Sequence, residues 1–309
     1  MTKNAFVFPG QGSQSVGMLA DLYAAYPIVQ QTFSEASEAL GYDLWAVVES
    51  DSEGRLNKTE VTQPAILTAS VAIFRVLASQ DNYQAPSVMA GHSLGEYSAL
   101  VCAGAVDFAD AVKLVALRGE AMQAAVPEGT GAMAAVIGLD DAAIALACEQ
   151  SAANEVVAPV NYNSPGQVVI AGNKAAVERA SEACKAAGAK RVLPLPVSVP
   201  SHCALMQPAA KVLAEALKTV AVKVPTIPVI HNVNVNVAGT AEEIREALVE
   251  QLYSPVRWTE TVQHMATMGI TNLYEVGPGK VLTGLTKRID KAITGQSLSD
   301  LSSVQEFNQ

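Results

Sequence analysis

Three features of this 309-residue chain predict an α/β protein with one module inserted into another. Short apolar runs of strand length alternate with longer stretches whose apolar residues recur at helical spacing, the pattern of a parallel sheet flanked by helices. From residue 131 that order gives way to β-α-β-β-α-β for about 65 residues, and then the first pattern resumes. The pentapeptide Gly91-His92-Ser93-Leu94-Gly95 lies between an apolar run and an Ala-rich helical stretch, so a strand turns sharply into a helix at Ser93.

The elements follow in order. Residues 5–8 read as a strand, and Pro9-Gly10 leads into helices that run to about residue 40. A helix at 65–79 precedes the elbow strand at 87–90, and helices at 96–106 and on to about 126 come after it. In the middle, 132–137 reads as strand, 141–151 as helix and 156–161 as strand. The turn Asn163-Ser164-Pro165-Gly166 feeds a strand at 167–171. A helix at 174–187 and an extended segment at 191–196 complete a ferredoxin-like split motif. The main pattern returns with a helix at 205–220, a strand at 227–232 and helices at 241–252 and 258–268. A strand at 272–276 and a helix from about 280 finish it. The polar end, 297–309, reads as a loosely held tail. The chain therefore divides into a core of 1–127 with 198–309 and an inserted module of 128–197.

Composition narrows the function. Half of the residues are apolar, enough for a large core, while 20 Lys plus Arg stand against 30 Asp plus Glu, for a net charge of −10. No basic stretch with interleaved aromatics exists, which argues against nucleic acid as a partner. The first apolar run is too brief for a signal peptide, and no run is expected to reach the roughly 20 residues of a membrane span. Cys102, Cys148, Cys184 and Cys203 lack metal-ligand spacing and suit reduced thiols in a cytoplasmic enzyme without a metal.

The elbow makes Ser93 a candidate nucleophile, the plain alternative being a structural Gly-Ser turn. Its glycines are required because any side chain two positions either side would collide across the tight crossing. A serine hydroxyl needs a positioned base, and the chain has four histidines. His92 is inside the elbow and points away from its neighbour, His231 ends a strand, and His264 sits on an amphipathic helix. His202 opens a helix where the chain re-enters the core, at a junction of the kind that lines clefts, and is the candidate base. Cys203 beside it leaves a Cys-His pair as a lesser alternative. A tetrahedral intermediate needs two amide donors. The Leu94 N–H supplies one, and the loop Pro9-Gly10-Gln11-Gly12-Ser13-Gln14 supplies a second through Gln11.

Arg118 projects from the apolar face of a helix spanning 110–123. A guanidinium aimed at a core requires an anion, either an internal Asp or Glu or the carboxylate of a substrate.

Phe8-Pro-Gly-Gln-Gly-Ser-Gln14, Gly91-His-Ser-Leu-Gly95, Arg118, Asn161-x-Asn-Ser-Pro-Gly-Gln167 and Val199-Pro-Ser-His202 stand in order at familiar spacing. Together they resemble the malonyl-CoA:acyl carrier protein transacylases of bacterial type II fatty acid synthesis, over nearly the whole chain. The resemblance implies an α/β-hydrolase-like core with an inserted ferredoxin-like subdomain. It implies Ser93 as nucleophile, His202 as base, the Gln11 and Leu94 amides as oxyanion hole, and Arg118 as clamp for the malonyl carboxylate. Gln251 matches the residue whose main-chain carbonyl orients the histidine, and Asn163 falls in the substrate-binding motif. Ser254 departs from the Asn that family members often carry. Malonyl-CoA enters as a substrate and no cofactor is implied. The acceptor would be an acidic acyl carrier protein, for which Lys280, Lys287, Arg288 and Lys291 on the last helix, with Lys190-Arg191, offer local positive charge. A carboxylesterase or thioesterase would share Ser93 and His202 without needing Arg118, and a non-catalytic acyl-CoA sensor would not need Ser93.

Overall fold

The computed structural model describes residues 3–197 and 199–307. Among these the strands are β1 (Lys3–Phe8), β2 (Val88–Gly91), β3 (Gly131–Ile137), β4 (Val157–Ser164), β5 (Gln167–Asn173), β6 (Arg191–Pro194), β7 (Val229–Ile230), β8 (Ile270–Val276) and β9 (Thr294–Leu298). They form two separate sheets. One has the order β7-β2-β1-β8-β9, and the other β4-β5-β3-β6. All neighbours in the first are parallel and all in the second antiparallel.

The parallel sheet is central because β1 and β2 bury nearly every side chain, as strands covered on both faces must. One face packs on the helix Thr59–Ala78, the other on Trp258, Val262 and Met265 of the helix Trp258–Thr267. The antiparallel sheet has its own core, where Val136, Val168 and Ile170 meet Ile144 and Cys148 of Asp141–Ala152 and Val177 and Cys184 of Lys174–Ala186. Some helix starts are set by short polar side chains. Asp107 caps Phe108–Ala124 through the Ala109 and Asp110 amides, and Thr240 closes a capping box with Glu243.

Four sequence expectations are corrected. The helix predicted at 65–79 begins at Thr59, with Pro64 inside it. Proline at that point forfeits only one helical hydrogen bond, which the burial of this apolar helix outweighs. At 20 residues it is also long and apolar enough to cross a membrane, contrary to the expectation that no run reaches that length, yet it is buried in the core. The strand expected at 227–232 is only Val229–Ile230, and a further helix, Leu44–Ser50, is started by the Asp43 carboxylate. The tail is not loose through residue 307. Strand β9 pairs with β8, and in the helix Leu301–Phe307 the Phe307 ring lies edge-on to Phe6 and Tyr274 at 5.9 and 4.8 Å. Residues 308–309 of that predicted tail lie outside the described residues.

Candidate active site

Strand β2 delivers the chain to Ser93, which takes φ +52° before the helix Gly95–Cys102 begins. A Cβ on Gly91 would lie 1.8 Å from the Gly95 carbonyl carbon, and one on Gly95 2.0 Å from the Phe8 oxygen. Glycine is therefore required at both flanks. The strained serine is held from outside: its N–H donates to Asn232 Oδ1 at 2.8 Å, and its carbonyl accepts from Gln251 Nε2 at 2.9 Å.

Ser93 Oγ lies 2.8 Å from His202 Nε2, and His202 Nδ1 lies 2.7 Å from the Gln251 carbonyl oxygen. A carbonyl only accepts, so the proton belongs on Nδ1, and Nε2 presents its lone pair to the serine O–H. Burial, followed by the nearby Arg118 cation, pushes the His202 pKa down to about 3. The imidazole is thus neutral, and able to take a proton, at any ordinary pH.

Arg118 is 1% exposed, and no Asp or Glu forms an ion pair with it among the described residues. Two neutral amides hold it instead: Nη1 donates to Gln63 Oε1 and Nη2 to Gln251 Oε1, both at 2.9 Å. Nη2 is also 3.4 Å from Ser93 Oγ, the Tyr97 ring centroid lies 5.4 Å from the guanidinium carbon, and Nε has no acceptor among the described residues. Burial lowers its pKa, as expected of a cation lacking a carboxylate partner. The choice left open by the sequence is settled against an internal ion pair.

These groups meet at a cavity of about 490 Å³ between the two sheets, lined by Gln11, Ser93, Leu94, Arg118 and His202 from the main part and by Met133, Asn161 and Val169 from the module. The Gln11 and Leu94 amides have no protein acceptor among the described residues, and both residues border the cavity near Ser93. Asn163 does not line it; its Oδ1 lies 2.8 Å from His92 Nε2, whereas Asn161 does, with a buried Oδ1 lacking a partner among the described residues. Cys203 is turned away. Its thiol donates to the Pro200 carbonyl, and burial raises its pKa to about 11, so it is no thiolate. Lys280, Lys287 and Arg288 are exposed on and beside the helix Val281–Ile289, and Arg288 donates to Gln167 Oε1.

Sequence reasoning missed a buried polar layer behind the site. Glu96 is fully buried, with Oε1 2.7 Å from His231 Nδ1 and Oε2 accepting from the Asn232 N–H at 3.0 Å and Gln251 Nε2 at 2.9 Å. Asn232 Nδ2 donates to the Gly91 carbonyl. Gln63, Glu96 and Asn232 carry no signal in the sequence of the kind that found Arg118, since each stands among polar or small neighbours, Gln63 after Thr62, Glu96 between Gly95 and Tyr97, and Asn232 after His231.

A serine on a strand-to-helix elbow, a neutral imidazole in hydrogen-bond contact and a buried cation with no ion-pair partner among the described residues make this an acyl-transfer site. In agreement with that, the chain belongs to the acyl transferase domain family, which matches residues 5–300. It is 66% identical over 304 residues to the malonyl CoA-acyl carrier protein transacylase of Escherichia coli (strain K12), covering 98% of each chain. A crystal structure of an acyl carrier protein S-malonyltransferase from Vibrio cholerae superposes with a TM-score of 0.96 at 62% identity, covering 99% of this chain and 100% of that one. A malonyl-transacylase in complex with a type II PKS acyl-carrier protein is 60% identical with a TM-score of 0.96, covering 98% of each chain.

Proposed function

We propose that this chain moves a malonyl group from CoA to the thiol of an acyl carrier protein through a malonyl ester on Ser93. One observation carries the reading: a cation without an acidic partner lies 3.4 Å from the same Ser93 oxygen that contacts a neutral imidazole. Malonyl has one methylene between its thioester carbon and its carboxylate. Arg118 offers that carboxylate a planar fork of donors while the thioester carbon sits at Ser93.

His202 Nε2 takes the Ser93 proton as Oγ attacks the thioester carbon. The Gln11 and Leu94 amides stabilise the oxyanion, the C–S bond breaks, and the protonated imidazole returns its proton to the CoA sulfur. The second half runs in reverse. His202 takes the proton from the carrier thiol, whose sulfur attacks the ester carbon, and Ser93 leaves with the proton restored. Turnover needs no group beyond these side chains and the two thiols. The Gln251 carbonyl orients the imidazole in the place a carboxylate holds in hydrolase triads, and the relatives' transacylase names favour thiol over water as acceptor.

The same reading takes residues 1–127 with 198–309 as an α/β-hydrolase-like core and 128–197 as a ferredoxin-like subdomain, although residues 1–2, 198 and 308–309 lie outside those described. The strand order β4-β5-β3-β6 with two helices supports the second part. Four unpaired cysteines suit a cytoplasmic enzyme. Carrier protein would dock through Lys280, Lys287 and Arg288.

The test is intact-protein mass spectrometry after mixing with malonyl-CoA, followed by addition of thiol-loaded carrier protein. A malonyl adduct on the Ser93 peptide, discharged by carrier protein faster than by water, is expected. Discharge by water at the same rate would make the protein a thioesterase, and no adduct would make it a binding protein.

A further inference from the structure

Arg118 is buried without an ion-pair partner, yet one carboxylate lies just behind it. The Gln251 side chain bridges the two, its Oε1 accepting from Arg118 and its Nε2 donating to Glu96. Glu96 does not line the cavity. Its oxygens are occupied by His231, Asn232 and Gln251, so it neither touches substrate nor closes on Arg118. We propose that Glu96 is a standing counter-charge to Arg118, set one amide away so that it steadies the empty site while weakening its grip on the substrate carboxylate. This rests on the malonyl-transfer reading above and adds to it a residue that tunes affinity for acidic acyl groups.

The sign follows from Coulomb's law. A fixed anion behind the guanidinium lowers the positive potential that an incoming carboxylate meets, and at an effective dielectric near 20 one unit charge a few ångströms further off changes affinity by about tenfold or more. The placement serves turnover, because a malonyl group held too tightly would leave slowly with the carrier protein. A carboxylate in direct contact would instead fill the fork of Arg118 and exclude substrate.

Glu96→Gln isolates the charge. Its amide oxygen can accept from Asn232 and Gln251, and its NH₂ can donate to His231 Nδ1 once that ring shifts its proton to Nε2, so every hydrogen bond survives. The control His231→Gln disturbs the same network but leaves the charge. Assays at pH 8, above the ordinary imidazole range of about 6.5, would measure KM and kcat for malonyl-CoA and acetyl-CoA, and the melting shift given by free malonate. E96Q is expected to melt lower than wild type in buffer, to gain more from malonate, and to show a malonyl-CoA KM about tenfold lower with acetyl-CoA unaffected. H231Q is expected to keep the wild-type KM. A malonyl KM in E96Q that is unchanged or raised, equal changes for both substrates, equal changes in H231Q, or failure of E96Q to fold with malonate present would each overturn the proposal. Failure of the underlying reading would look different: wild type would itself show no preference for malonyl-CoA.

Discussion

In the proposed mechanism the site works through three side chains, Ser93, His202 and Arg118, whose states are fixed by what surrounds them. His202 is kept neutral by burial and by the Arg118 cation, and its tautomer by the Gln251 carbonyl. The kcat/KM for malonyl-CoA is therefore expected to stay flat from pH 8 down to 5, where an ordinary imidazole would be mostly protonated. An inflection near 6.5 would show that His202 titrates normally. Replacing the base by H202A is expected to slow acyl-enzyme formation by about 10²- to 10⁴-fold, read by stopped-flow release of CoA. Arg118 was legible because a cation on an apolar helix face has to meet an anion. Its cradle was not, because the amides of Gln63 and Gln251 come from positions 55 residues before and 133 after, and helical period does not reveal which distant elements meet.

At the scale of elements, the elbow is set by backbone contact. Alanine at Gly95 would place its Cβ 2.0 Å from the Phe8 oxygen, main chain against main chain, so G95A is expected to cost about 3 kcal/mol or more, or to prevent folding. Gly284 is the contrast. It lies within the helix Val281–Ile289 with nothing near its missing Cβ, so G284A should gain up to about 1 kcal/mol. Denaturant titration of both variants checks the pair, and equal effects would refute the contact argument. The elbow, the β-α-β-β-α-β order and most helices could be read from local pattern. The C-terminal strand and helix could not. The segment 294–307 is polar and short of apolar period, and Leu298, Leu301, Val304 and Phe307 tie it to the core, with Phe307 reaching back to Phe6. Phe307→Ala is expected to cost about 1 to 3 kcal/mol by the same titration, whereas a loose tail would cost nothing.

For the whole molecule, burial of neutral histidines links stability to pH. His202, at about 3, and His92, lowered by burial, both sit below the unfolded value of 6.5. The unfolded chain thus binds more protons between about 6.5 and 3, and stability falls as pH falls through that window. Melting temperature should drop across it less steeply in H202N than in wild type. The charge balance bears on partner choice as well. With a net charge of −10, an acidic carrier protein would be repelled except at a local basic patch. Reversing Lys287 and Arg288 together should raise the carrier-protein KM severalfold and leave that for malonyl-CoA unchanged; no change in either would move docking elsewhere.

The central claim is that Arg118 selects the acyl group that Ser93 carries, and R118A compared with wild type by mass spectrometry tests it most directly. After brief mixing with malonyl-CoA or acetyl-CoA, R118A is expected to lose the malonyl adduct by about 10²-fold or more while acetyl loading persists or rises. Malonyl loading of R118A at the wild-type rate, or equal loss of both adducts, would contradict the account.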